Sequence, residues 1–143
     1  MSIAENRKLT VAAWIFVVMA FLTAFQGVFD GFRMHGFDQS WPDHARFHMT
    51  WATASNVGFC LTVALVALIP FRRGERWSWW ALSIFTVFGN YSLIPAAIWQ
   101  GSGPRAGFEI PIAIGFMALL IALVLSFRVG IPNRGSGSFS GAV

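Results

Sequence analysis

Ser40-Trp41-Pro42-Asp43-His44-Ala45-Arg46-Phe47-His48-Met49-Thr50-Trp51 gathers two of the chain's three histidines, an acid and an arginine directly ahead of an apolar run that continues to Ile69. Ser40 followed three positions later by Asp43, with Pro42 between them, has the form of a capping box and predicts a helix beginning near Trp41. That helix would end before Pro70, giving a span over 41–69 of about 29 residues, or about 43 Å at 1.5 Å per residue. A hydrocarbon core of about 30 Å takes about 20 helical residues, and counting back from Ile69 puts the outer boundary near Thr50. His44 and His48 then fall one turn apart on one helical face at the edge of the membrane, bracketed by the interfacial aromatics Trp41 and Trp51.

The rest of the chain supports the same reading. Of 143 residues, 56% are hydrophobic, 16% aromatic and only 11% charged, more apolar surface than one small water-soluble core hides. Three further segments have the length and composition of membrane spans: 9–29, 77–99 and 108–127. Arg7 and Lys8 precede the first as the basic region of a signal peptide would. Its apolar run is about twice the usual length, however, and no Ala-x-Ala site follows, so it is read as a retained span. The connections are short, so the expected fold is all-α, an integral membrane four-helix up-down-up-down bundle over residues 1–130. A Gly/Ser-rich tail over 131–143 is expected to be disordered and cytoplasmic.

Basic residues report orientation here, not nucleic-acid binding. Arg7, Lys8, Arg72, Arg73, Arg76, Arg128 and Arg134 lie on one side of the predicted topology, and Arg33, Arg46 and Arg105 on the other. The positive-inside rule makes both termini and the 71–76 turn cytoplasmic in the inner (plasma) membrane, with the first and third loops outside. The arginines of the turn would touch anionic headgroups, and Trp77, Trp79 and Trp80 would form the inner aromatic belt. Thr23, Gln26 and Asp30 share a helical face expected to point into the bundle. Ala54-x-x-x-Gly58 offers a small-residue contact face, beside which Ser55 and Asn56 carry the polar line inward. Pro95 should bend the third span and leave a carbonyl without its usual donor near Asn90 and Tyr91, a place for a polar pocket. Cys60, the only cysteine, excludes a disulfide framework or a CxxC pair and reads as a small buried residue.

In this topology Asp30, His44, His48 and Glu109 reach one outer level. Two histidines at i and i+4 can present nitrogens to a metal ion, with a carboxylate from another helix completing the set. They can equally relay protons, since imidazole titrates near neutral pH and a neighbouring acid can orient it. A third reading needs no chemistry: Asp30, Arg46 and the histidines simply fasten loop to helix, and Glu109 sits in a first turn to suit the helix dipole. The candidate catalytic set is therefore His44 and His48 as acid/base groups or metal ligands, Asp30 and Glu109 as their orienters, and Arg46 as an anion or carbonyl contact. Asn56, Asn90 and Tyr91 are candidates for holding a cofactor, and His35 stands in a glycine-flanked loop. No Walker, Rossmann, nucleophile-elbow or zinc-finger pattern is present.

The plan of four short-looped spans, with polar residues at the outer ends of the first two, resembles the small DoxX-like bacterial membrane proteins, with Pro42-Asp43-His44-Ala45-Arg46-Phe47-His48 as its most distinctive run. The resemblance is one of hydropathy and size over nearly the whole chain. It implies a quinone-linked or other redox partner and carries over no individual catalytic residue. The expectation is a small membrane protein whose outward pocket takes a lipophilic molecule, such as a quinone or isoprenoid, with proton transfer or a metal ion assisting. The alternative is a non-enzymatic accessory subunit or scaffold for a larger membrane partner. The lipid bilayer is a partner in both readings, and nucleic acid in neither.

Overall fold

The computed structural model describes residues 3–29, 31, 37, 39–91 and 106–130, with helix side chains placed up to 87 and again over 113–129. The elements are α1 (Ile3–Val28), α2 (Asp43–Val66) continued by a π-helical turn (Ala67–Phe71), α3 (Arg76–Tyr91), α4 (Ala106–Leu125) and the short α5 (Phe127–Gly130). No strand occurs among the described residues. Two helical segments, Ile3–Val28 and Asp43–Phe71, are long and apolar enough to cross a membrane.

The predicted boundaries shift for identifiable reasons. α1 begins before Leu9 because Glu5, Asn6, Arg7 and Lys8 continue the helix as a polar extension. α2 begins at Asp43, two residues later than expected, with Pro42 at the N-cap position (φ −56°, ψ 143°) and no capping side-chain bond. The proline ring disfavours helical geometry at the residue before it, so Trp41 stays outside the helix. The Arg46 N–H donates to the Pro42 carbonyl at 3.1 Å and opens the ladder.

At the other end α2 does not stop before Pro70. It passes through that residue by widening into the π-helical turn, one way to carry a proline that has no N–H to donate. The segment closes a few residues later: Glu75 N–H donates to the Pro70 carbonyl at 3.0 Å and Gly74 N–H to the Phe71 carbonyl at 2.9 Å. With Gly74 at φ +77°, this is a Schellman closure, whose left-handed residue suits glycine. The Asp43–Phe71 segment is 29 residues long, the expected length moved along the chain.

α1 packs against α2 and α4, while α3 packs against α4 and, more narrowly, α2. Contacts at two heights make α1 antiparallel to α2: Phe16 meets Phe71 edge-on with ring centroids 5.8 Å apart, and Gly27 lies against Asn56. α1 is likewise antiparallel to α4, because Met19 abuts Gly115 while Glu5 pairs with Arg128 at 2.9 Å. Among the described residues the buried apolar side chains gather toward the 71–76 turn. Leu9, Ala12, Ala13, Phe16 and Ala20 of α1 meet Cys60, Val63, Ala67 and Phe71 from the α2 segment, Trp79 and Leu82 of α3, and Leu119, Ala122 and Leu123 of α4. Alanines on α1 let its neighbours approach, and the phenylalanines fill what remains.

Several expectations about faces are corrected. Thr23 and Gln26 are exposed, because Ala24, Gly27 and Gly31 occupy the inner side of α1 at that height. Ala54 is exposed and a Cβ at Gly58 would meet nothing within 4 Å, so that small-residue face packs on no neighbour among the described residues. The close approach comes instead from α1, where a Cβ on Gly27 would lie 2.5 Å from Asn56 Nδ2, and one on Gly31 would collide with the Thr53 side chain. Of the three tryptophans assigned to the inner belt, Trp77 and Trp80 are exposed. Trp79 is buried, with its Nε1–H donating to the Leu123 carbonyl at 3.3 Å.

Candidate functional site

His44 and His48 lie in the first turns of α2, where the preceding proline fixes the start of the helix and hence which way each side chain leaves it. The spacing of four stacks the two imidazoles. Their Nε2 atoms are 3.1 Å apart and the rings meet edge-on, with centroids 4.3 Å apart and planes at 81°. Either nitrogen can donate to the other, depending on tautomer. Both residues are exposed. Aromatic rings continue from His48: Phe47 at 5.7 Å and Trp51 at 6.4 Å between centroids, both exposed.

Arg46 is not brought to the imidazoles. At 100° per residue it stands about 200° around the helix from both of them, and about 20° from Thr53, the residue that lies against Gly31, just past the end of α1. Its guanidinium pairs with Asp43 on the preceding turn. Its Nε is buried and has no hydrogen-bond partner among the described residues. The pair staples the first turn of α2 and directs Arg46 toward α1.

Asn56 lies deeper, half-buried, on the α1 side of α2. Its Oδ1 accepts from Cys60 Sγ at 3.6 Å and its amide nitrogen lies over Gly27, so it acts as a packing and hydrogen-bonding residue between helices. Cys60 is a free thiol and buried, in agreement with the sequence reading. Ser55 is exposed and continues no polar track inward. Of the remaining candidates, Asp30 and His35 lie outside the described residues. The side chains of Asn90, Tyr91 and Glu109 do too, as do the Pro95 bend and the 131–143 tail. Among the described residues no cluster of three or more histidine, cysteine, aspartate or glutamate side chains converges.

What the structure assembles is therefore a two-imidazole site, exposed, flanked by aromatics and set at the start of a long apolar helix. Gly27, Gly31 and Thr53, which fix α1 against α2 below it, were not singled out in the sequence. The Gly27-x-x-x-Gly31 spacing is the signal that points to them. No family of proteins, curated protein or solved structure matches the chain.

Proposed function

We propose that the protein is a four-span integral protein of the inner membrane, both termini cytoplasmic, whose outward rim binds a lipophilic molecule and moves protons to or from it through His44 and His48. The observation that carries this reading is the pair of Nε2 atoms 3.1 Å apart at the polar start of a 29-residue apolar helical segment. One imidazole donates its N–H while the other accepts, so a proton taken up on one side can leave from the other after a ring flip. Large exposed apolar side chains on α1 and α2, among them Phe21, Phe25, Phe59 and Leu61, form the surface that lipid would cover. Phe47 and Trp51 provide apolar contact beside the pair for a ring-bearing ligand. The DoxX-like resemblance favours a quinone over an isoprenoid.

The experiment is to purify the full chain in mild detergent, extract it, and measure copurified quinone and isoprenoid by mass spectrometry, comparing wild type with the His44→Ala/His48→Ala double variant. A near-stoichiometric lipophile in wild type, lost in the variant with helicity intact, is the expected outcome. Equal lipophile content in both would sink the site. For the topology, single cysteines at Gln39 and Arg73 in a Cys60→Ala background should react with impermeant reagent from opposite sides of the membrane. Labelling from one side overturns the crossing of α2.

One observation favours the accessory-subunit reading. The Ala54/Gly58 face is open and flanked by exposed apolar residues, a surface on which another membrane helix could close. Unchanged lipophile content, together with loss of a copurifying membrane protein on Gly58→Leu, would decide for it.

A further inference from the structure

We propose that His44 and His48 form a bidentate clamp for a single divalent transition-metal ion, bound through both Nε2 atoms at the outer start of α2. The inference rests on the reading of this pair as the functional site and names what occupies it besides a proton. Imidazole nitrogen binds such ions at about 2.0–2.1 Å, so two nitrogens on one ion stand about 3.0 Å apart at a right angle and about 3.4 Å apart in a tetrahedron. The observed 3.1 Å lies between these values. The same two nitrogens can meet one ion once the N–H between them has moved to the Nδ1 of its own ring and both rings have turned their Nε2 lone pairs toward the ion.

The helix supplies the preorganisation. Four-residue spacing on a regular backbone, started by Pro42 and stapled by the Asp43–Arg46 pair, holds both ligands without a loop rearrangement. With imidazole as the donor, the site selects ions such as Zn²⁺, Cu²⁺ or Ni²⁺ over Mg²⁺ and Ca²⁺, which take oxygen. Two protein ligands leave at least two coordination positions for water or for an oxygen of a bound molecule. Both residues are exposed, so entry is unobstructed.

Trp51 supplies a reporter, its ring centroid 6.4 Å from that of His48. Detergent-solubilised full chain is titrated with Cu²⁺ alone, following tryptophan fluorescence and the electron paramagnetic resonance spectrum. Expected are one Cu²⁺ per chain, a spectrum with two nitrogen ligands, and quenching that is diminished in Trp51→Phe. His44→Ala and His48→Ala should each weaken binding by about tenfold or more, because a one-point contact replaces a chelate. Cys60→Ala, which removes a buried thiol about four turns along the chain, should leave it unchanged, and excess Mg²⁺ should not compete. A double variant that binds Cu²⁺ as tightly as wild type, or a spectrum without imidazole nitrogen, overturns the clamp. Lipophile content measured on the same double variant keeps the two proposals apart: Cu²⁺ binding lost with lipophile retained sinks only the lipophile site, and Cu²⁺ binding retained with lipophile lost sinks only the clamp.

Discussion

The described residues at the two ends of α1 and α2 differ in how they pack. At the basic end, Phe16, Phe71, Leu9 and Leu82 are fully enclosed, a Schellman turn closes the α2–α3 connection, and Trp79 ties α3 to α4 through a backbone carbonyl. The exposed residues Arg7, Lys8, Arg72, Arg73, Arg76 and Arg128 surround this core. At the histidine end, Phe21, Phe25, Phe47 and Trp51 are exposed, and α1 and α2 touch chiefly where glycines permit it. Among the described residues, the helix contacts gather at the basic end and the histidine pair stands outside them. Such a division lets a site be altered without unfolding its scaffold.

The sharpest way to break this contrast is at the packed end. Phe16→Ala removes a fully buried ring against Phe71 and should cost about 3–5 kcal/mol, read as loss of stability in detergent unfolding; a cost under 1 kcal/mol would mean that the core is elsewhere. At the seam between the two ends, Gly31→Ala drives a methyl into the stiff Thr53 side chain and should cost about 1–3 kcal/mol. Gly27→Ala meets only the terminal amide of Asn56, which can swing aside, and should cost less; the reverse order would refute the placement of α1 on α2. Gly74→Ala forces a β-carbon into left-handed geometry, about 1–2 kcal/mol on the same unfolding curve. Trp79→Phe deletes one hydrogen bond to Leu123, about 1 kcal/mol. The smallest effect belongs to the open end: His44→Ala should move stability by no more than about 0.5 kcal/mol while weakening Cu²⁺ binding by about tenfold or more. A large stability loss there would make the pair part of the scaffold.

The histidine pair was legible in the sequence because it depends only on local geometry: four-residue spacing on a helix stacks side chains wherever that helix goes. The length of the α2 segment was legible for the same reason. Its ends were not, because proline acts through its neighbours. Pro42 excluded Trp41 from the helix, and Pro70, expected to end it, was absorbed by a π-helical turn. Choice of face was least legible. Ala54 and Gly58 have the composition of a contact surface as much as Gly27 and Gly31 do, yet small side chains only permit approach, and the positions of neighbouring helices decide which permission is used. The same reasoning explains Gln26, which looked inward-facing by its polarity but lies outside because Ala24 and Gly27 took the inner side.

The Glu5–Arg128 pair joins residues 123 positions apart in the chain. It brings the beginning of α1 beside α5, so the order in which the helices are connected is separable from the order in which they touch. A circular permutant, with residues near 3 and 130 bridged by a short linker and new ends opened within 72–75, would keep every helix neighbour it has now. Its failure to fold would then trace to synthesis and membrane insertion, where the sequence of emergence matters, and not to the finished arrangement.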